Sequence, residues 1–146
     1  MIEYTKSAEE TERVGALLAE KLENDGKKRA VIAMRGEMGV GKTAFTRGFA
    51  SHFGISGVKS PTYTVVNEYR GRVRIFHFDM YRITDDEDLY STGFYEYFSR
   101  DGYMLAEWCE NIPYAIPEDA YILRIEKVSP DAPDKRRITI EMRCDG

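Results

Sequence analysis

The sequence "GEMGVGKTAF", from Gly36 to Phe45, brings three glycines, a lysine and a threonine together. Glycine costs about 1 kcal/mol relative to alanine inside a helix and offers a strand no side chain to pack. The apolar run "RAVIAM" (29–34) precedes this stretch, and "TAFTRGFASHF" (43–53) follows it with phenylalanines four residues apart. These patterns predict a buried strand and then a helix. A glycine-rich loop between the two indicates that a ligand lies against the bare backbone.

The spacing of this loop matches the phosphate-binding pattern G-x-x-x-x-G-K-[ST], through Gly36, Gly41, Lys42 and Thr43. Glycines let successive N–H groups turn inward to hold phosphate oxygens, and the helix N-terminus adds its dipole. Lys42 would reach the β- and γ-phosphates, and the Thr43 hydroxyl would bind Mg²⁺. The sequence lacks an N-K-x-D segment, the usual guanine reader, which favours ATP. The predicted nucleotide-binding residues of the loop and helix start are Glu37, Met38, Gly39, Val40, Gly41, Lys42, Thr43 and Ala44.

Two later predicted strands end in an acidic residue, and each acid could organise Mg²⁺ and water. Asp79 ends "RIFHFD" and Glu107 ends "YMLAE". The carboxyl ends of strands border the ligand crevice of an α/β sheet. The second run is the more continuously apolar, as expected for a strand covered on both faces, whereas the first alternates. The sequence pattern alone does not decide which of the two acids organises Mg²⁺ and water.

The rest of the chain predicts one α/β domain over residues 1–146. A capping box, Ser7 to Glu10, opens a helix with Val14, Leu17, Leu18 and Leu22 on its apolar face. Strands are expected at 62–69 and 73–79 as a hairpin around "RGR", and at 121–128 and 136–143 around the turn-rich "SPDAPDK". "DDEDLYSTGFYEYF" predicts one or two short helices. The expected architecture is a three-layer, P-loop NTPase-like fold with a mostly parallel central sheet and antiparallel hairpin additions.

Composition argues against several classes of protein. With 21 basic and 25 acidic residues, the net charge of −4 is unlike that of a dedicated nucleic-acid or anionic-membrane binder. The N-terminus has no apolar segment typical of a secretory signal, and the apolar runs are too short to span a bilayer. Cys109 and Cys144 form no CxxC pair, and His52 and His77 are too far apart to suggest a metal site of their own.

Five segments in order, "GEMGVGKTAFTRGF", "VKSPTYTVVNEY", "FHFDMYRI", "DEDLYSTG" and "LAEW", resemble the bacterial TsaE family. These small P-loop ATPases are required for threonylcarbamoyladenosine modification of tRNA, and the resemblance extends over roughly residues 30 to 117. It implies a cytosolic, Mg²⁺-dependent ATPase that acts with a TsaB–TsaD pair, in which TsaD modifies adenosine 37. This chain would meet tRNA only through that complex, and alone it would be a monomer or weak oligomer.

The resemblance also implies roles for individual residues. Thr43 and Glu107 would hold Mg²⁺, and Asp79 would be the catalytic or water-organising acid. Thr62, in "SPT", would belong to a switch-like loop that senses the γ-phosphate. From the residues alone, Trp108 is interpreted as a core or pocket-wall tryptophan rather than a stacking partner, and its position beside Glu107 would place it next to the nucleotide. Arg82 is interpreted either as a phosphate or partner contact or as a solvated arginine.

Two structural interpretations and two alternative functions complete the expectations. Gly48 is predicted to permit close packing of the P-loop helix on the sheet. Tyr90, Phe94, Tyr97 and Phe98, at helical spacing, are predicted to be core residues. Instead of a partner-dependent ATPase, the chain could be a small-molecule kinase, although it shows no obvious arginine-bearing lid. It could also be a nucleotide-sensing module in which ATP switches an interaction surface without relevant turnover.

Overall fold

The computed structural model describes residues 1–37, 39–59, 66–80, 85–91, 93–107 and 116–142. In this part of the chain, strands and helices alternate as expected for an α/β fold. The elements in chain order are β1 (Ile2–Thr5), α1 (Ala8–Asn24), β2 (Arg29–Arg35), α2 (Lys42–His52), β3 (Val66–Arg70), β4 (Arg74–Asp79), α3 (Asp86–Ser91), a 3-10 helix (Phe94–Ser99), β5 (Gly102–Glu107), β6 (Tyr121–Ser129) and β7 (Ala132–Met142).

All seven strands belong to one sheet, in the order β1-β7-β6-β2-β5-β4-β3. The inner strands β6, β2, β5 and β4 pair in parallel. Antiparallel partners extend the sheet on both sides, β7 and β1 beyond β6 and β3 beyond β4. The prediction of a mostly parallel centre with antiparallel additions is therefore confirmed. Strand β2, which leads into the glycine-rich loop, lies in the middle of the sheet.

Helices cover both faces of the sheet and give three layers. On one face, Phe45, Phe49 and Phe53 of the α2 segment are buried together with apolar residues of α1 and the strands. On the other face, the rings of Phe94 and Tyr97 meet Phe78 edge-on, with centroids 5.2 and 5.1 Å apart. The predicted aromatic core is thus correct for these rings and for the partly buried Phe98, but wrong for Tyr90, which is exposed.

Helices α1 and α2 touch through two glycines. A methyl group at Gly48 would overlap the carbonyl of Glu12, and one at Gly15 would overlap the carbonyl of Phe45. Gly48 therefore does permit close packing, but the prediction of its partner was wrong, because it packs on helix α1 rather than on the sheet. This contact fixes the direction of the helix that follows the glycine-rich loop.

Helix α1 begins as predicted, with Ser7 Oγ accepting a hydrogen bond from the Glu10 N–H at 3.1 Å. Leu17 is exposed, however, and Gly15 and Ala19 are buried on the face that packs against α2. The predicted apolar face was wrong at Leu17 because the sequence pattern did not include the glycine and alanine that the helix crossing requires.

The antiparallel edge of the sheet differs from the prediction in two ways. Strand β1 was not predicted, because it pairs only with β7, from the other end of the chain. Strand β7 begins at Ala132, so four residues of the expected turn, 132–135, belong to the strand. Residues 62–65 of the predicted hairpin lie outside the described residues. No helix in the described ranges is long and apolar enough to cross a membrane.

Candidate nucleotide-binding site

The glycine-rich loop leaves the centre of the sheet and turns directly into helix α2. Gly36, Gly39 and Gly41 have φ angles of 153°, 75° and 127°, which side-chain-bearing residues rarely adopt. A methyl group at Gly36 would lie 2.7 Å from the Ile125 carbonyl oxygen and 2.8 Å from Cγ1 of Val40. Gly41 is the N-cap of α2 and, as a glycine, contributes no side-chain capping hydrogen bond. A helix N-terminus that directly follows a glycine-rich loop is an arrangement that binds anions in proteins.

Lys42 starts helix α2, and its side chain folds back into the loop. Its Nζ donates a hydrogen bond to the Gly36 carbonyl at 2.8 Å and lies 3.8 Å from Oε1 of Glu107. The side chain is only 8% exposed. Burial lowers the pKa of Lys42, and the negative charges of Glu107 and Asp79 partly oppose that shift. The amine is therefore held beside two carboxylates at the centre of the loop.

The two acids predicted from the strand ends are neighbours in the sheet. Asp79 and Glu107 are the last residues of β4 and β5 and lie directly opposite each other in parallel register. Met34, near the end of β2, is the partner of Glu107 on the other side. Residues in register project from the same face of a sheet, so both carboxylates stand on the face that carries Lys42. The Glu107 side chain is 12% exposed, which places it at the edge of the core rather than in open solvent.

The structure brings most of the predicted loop residues together and leaves several outside the described residues. Thr43 lies in the first turn of α2 and is half-buried, as is Gly41, whereas Gly39 is exposed and Glu37 is exposed beside it. The side chains of Val40 and Ala44 are buried in the core, so only their backbone could meet a ligand. Met38, Thr62, Arg82 and Trp108 lie outside the described residues, and their predicted roles stay predictions.

Sequence reasoning missed two residues that support this site. His77, which alternation placed on the same face as Asp79, is 0% exposed, and its Nε2 lies 3.1 Å from Oε2 of Glu107. The sequence feature that could have identified His77 is its position two residues before Asp79, the acidic residue that ends the strand. Arg136 of β7 donates from Nε to the Val40 carbonyl at 2.8 Å. No local pattern predicts that contact, because loop and strand are far apart in sequence.

A separate open groove lies at the opposite end of the strands. Its volume is about 800 Å³, and several basic side chains line it. Three of them are paired with acids: Arg29 with Asp101 at 2.8 Å, Arg72 with Glu23 at 2.6 Å and Arg100 with Glu68 at 2.9 Å. The groove begins at the amino ends of β2, β4 and β5, so it is remote from the glycine-rich loop.

No group of three or more histidine, cysteine or acidic side chains within the described ranges is arranged to hold a metal ion. The donor set beside the loop is instead a hydroxyl, Thr43, and the two carboxylates at the strand ends. Oxygen donors of this kind suit Mg²⁺, which usually takes one or two carboxylates together with substrate phosphates rather than an all-protein cage.

Comparisons with known proteins identify the family of this chain. The sequence profile described as "Threonylcarbamoyl adenosine biosynthesis protein TsaE" matches residues 5–138. The "tRNA threonylcarbamoyladenosine biosynthesis protein TsaE" of Bacillus subtilis is 36% identical over 97% of this chain and 89% of its own length. The Haemophilus influenzae protein of the same name is 41% identical over 68% of this chain and 64% of its own length. The crystal structure of Bacillus subtilis YdiB superposes with a TM-score of 0.76 and 30% identity, over 99% of this chain and 91% of that one. The chain therefore belongs to the TsaE family.

Proposed function

We propose that this protein binds ATP with Mg²⁺ at the glycine-rich loop and hydrolyses it as a component of threonylcarbamoyladenosine formation in tRNA. The observation that carries the proposal is the meeting of Lys42 with the two strand-end carboxylates at the N-terminus of helix α2, where a glycine is the N-cap. The relatives' names supply the pathway, because they are tRNA threonylcarbamoyladenosine biosynthesis proteins.

In this proposal the loop holds the phosphates and Lys42 neutralises their charge. The N–H groups of Gly39 and of residues 41–44 bind the phosphates in this proposal, whereas the Val40 N–H is donated to the Glu37 carbonyl. The Lys42 amine exchanges its contact with the Gly36 carbonyl for β- and γ-phosphate oxygens. Burial lowers the pKa of Lys42, and the negative charge of a bound phosphate would raise it again. The side chains of Val40 and Ala44 are buried in the core, so neither side chain would contact the phosphates.

The proposed metal ligands are the Thr43 hydroxyl and the Glu107 carboxylate, which fit the preference of Mg²⁺ for oxygen donors. When bound, Mg²⁺ would supply positive charge that stabilises the negative charge developing on the phosphate oxygens. Asp79, opposite Glu107 in the sheet, orients the attacking water and accepts its proton. Thr62 senses the γ-phosphate, and Trp108 forms a wall of the pocket. The assignment of Thr62 follows from the family resemblance, and that of Trp108 from its place beside Glu107.

We expect the isolated protein to turn over ATP slowly. Phosphoryl transfer depends on positioned positive charge, and an arginine supplied in trans can raise the rate by orders of magnitude. In the proposal a TsaB–TsaD type pair completes the site and carries out the transfer, so tRNA is engaged only through the complex. The protein would then work in the cytoplasm, where tRNA is modified. Its net charge of −4 gives no general attraction for a polyanion.

The test is steady-state phosphate release by the purified protein, with and without the TsaB–TsaD pair, together with tRNA modification. We expect slow release alone, faster release with the pair, and loss of both signals in Lys42→Ala. Lys28→Ala, an exposed lysine at the opposite end of the strands, is the matched control and should behave as wild type. Rapid release unaffected by the pair, or transfer of the γ-phosphate to a metabolite, would contradict the proposal and favour a kinase. Sustained modification with a non-hydrolysable ATP analogue would instead favour nucleotide sensing without turnover.

A further inference from the structure

His77 is a buried histidine two residues before the end of β4, opposite Leu105 of β5. Its side chain is completely buried on the face that carries Glu107 and Lys42. Nε2 of His77 lies 3.1 Å from Oε2 of Glu107, while Oε1 of the same carboxylate faces Nζ of Lys42 at 3.8 Å. The two oxygens of Glu107 therefore have different neighbours, an imidazole on the core side and the loop lysine on the ligand side.

The surroundings of the imidazole identify which nitrogen carries the hydrogen. Within the described ranges, Nδ1 of His77 is buried and has no hydrogen-bond partner. A buried N–H without an acceptor costs the full desolvation of that donor, so a hydrogen on Nδ1 is strongly disfavoured. A hydrogen on Nε2, by contrast, is donated to a carboxylate oxygen. The geometry thus selects the Nε2–H tautomer, in which the buried Nδ1 carries no hydrogen.

We propose that His77 is a positioning residue for Glu107, and this inference rests on the proposed function of Glu107 as a Mg²⁺ ligand. The Nε2–H···Oε2 hydrogen bond holds the carboxylate in one rotamer and directs Oε1 toward the loop. Glutamate has three side-chain torsions, so a carboxylate at a strand end would otherwise lose entropy on meeting a metal ion. The same hydrogen bond, made in the metal-free protein, pre-arranges the ligand. Outer partners of this kind typically change metal affinity by about 10- to 100-fold when removed.

A pair of amide variants separates the hydrogen bond from mere packing. Glutamine places its side-chain nitrogen near the position of Nε2, so His77→Gln keeps a donor for Glu107. Asparagine is one methylene shorter and places its nitrogen near the position of Nδ1, so His77→Asn keeps a buried amide but loses that donor. Mn²⁺ binding in the presence of a non-hydrolysable ATP analogue, followed by electron paramagnetic resonance, reports on the metal site without turnover.

We expect Mn²⁺ affinity to fall at least about tenfold in His77→Asn and to stay within about threefold of wild type in His77→Gln. Affinity for the analogue in EDTA, measured by calorimetry, should be the same for all three proteins, because the imidazole faces the carboxylate and not the phosphate loop. Unchanged Mn²⁺ affinity in His77→Asn, or an equal loss in both variants, would overturn the inference. Failure of wild type to bind Mn²⁺ with the analogue would overturn the proposed function and, with it, this role of Glu107.

A second measurement tests the contact without metal, nucleotide or a variant at His77. Long-range ¹H–¹⁵N correlation spectra of the metal-free wild-type protein distinguish the two imidazole tautomers. The expected result is hydrogen on Nε2 of His77 and a change of the Nε2 signal in Glu107→Ala. Hydrogen on Nδ1, or a signal indifferent to Glu107→Ala, would overturn the inference even if the protein binds Mg²⁺ and ATP as proposed.

Discussion

Replacement of Gly36 by alanine tests whether the close approach of the loop to β6 is needed for nucleotide binding. The added methyl group would lie 2.7 Å from the Ile125 carbonyl oxygen, a backbone atom that cannot rotate away. Gly26→Ala is the matched control, because Gly26 also has a positive φ of 72° and a methyl group there meets nothing within 4 Å. Both variants introduce backbone strain, but only Gly36→Ala introduces a clash.

The magnitude follows from these two terms. A side chain in the left-handed region, as at Gly26, costs roughly 1–2 kcal/mol. The φ of 153° at Gly36 is still less accessible to a side-chain-bearing residue and costs about 1–3 kcal/mol, so backbone strain is at least as large there. Overpacking against fixed neighbours adds about 1–3 kcal/mol, and this cost applies to Gly36→Ala alone. In a chain of this size each kcal/mol lowers the melting temperature by about 2–4 °C. An extra cost near 2 kcal/mol therefore predicts that Gly36→Ala melts about 4–8 °C below Gly26→Ala.

The assay combines a thermal melt with calorimetric titration of ATP in the presence of Mg²⁺. We expect Gly26→Ala to bind ATP as wild type does. Gly36→Ala should bind at least about tenfold more weakly, since a loss of 1.4 kcal/mol in the loop suffices for that factor. If Gly36→Ala has the same melting temperature as Gly26→Ala and binds ATP with wild-type affinity, the close approach of loop and strand is not the reason for glycine at this position.

Three further predictions concern the site. Lys42→Ala should weaken ATP binding and abolish hydrolysis in a protein that still melts cooperatively, and wild-type affinity in calorimetry would refute the assignment of Lys42. Thr43→Ala and Glu107→Ala should raise the Mg²⁺ concentration needed for turnover. Asp79→Asn should lose more of its hydrolysis rate than of its affinity for the nucleotide. Identical Mg²⁺ titrations for wild type and Glu107→Ala would show that Glu107 is not a metal ligand. Hydrogen exchange across residues 55–65 should slow more with a non-hydrolysable ATP analogue than with ADP, and equal protection would leave the predicted switch loop as an ordinary loop.

The sequence by itself determined the centre of this protein. The strand "RAVIAM", the glycine spacing and the apolar face of "TAFTRGFASHF" are local patterns, and the structure contains β2, the loop and α2 where they predict them. Asp79 and Glu107 could be identified as candidates because strand ends are local too. That they are neighbours follows from the parallel pairing of β4 and β5, which joins segments distant in sequence.

Tertiary structure alone decided the contacts between distant segments. Gly48 meets Glu12 because two helices cross there, and β1 forms because β7 offers it an edge. His77 alternates like a half-exposed strand residue, yet it is buried, because Glu107 from the next strand supplies its hydrogen-bond partner. The physical reason is the same in each case. Local periodicity predicts which face of an element is apolar, whereas burial of a polar group or a glycine depends on the atom that another segment places against it.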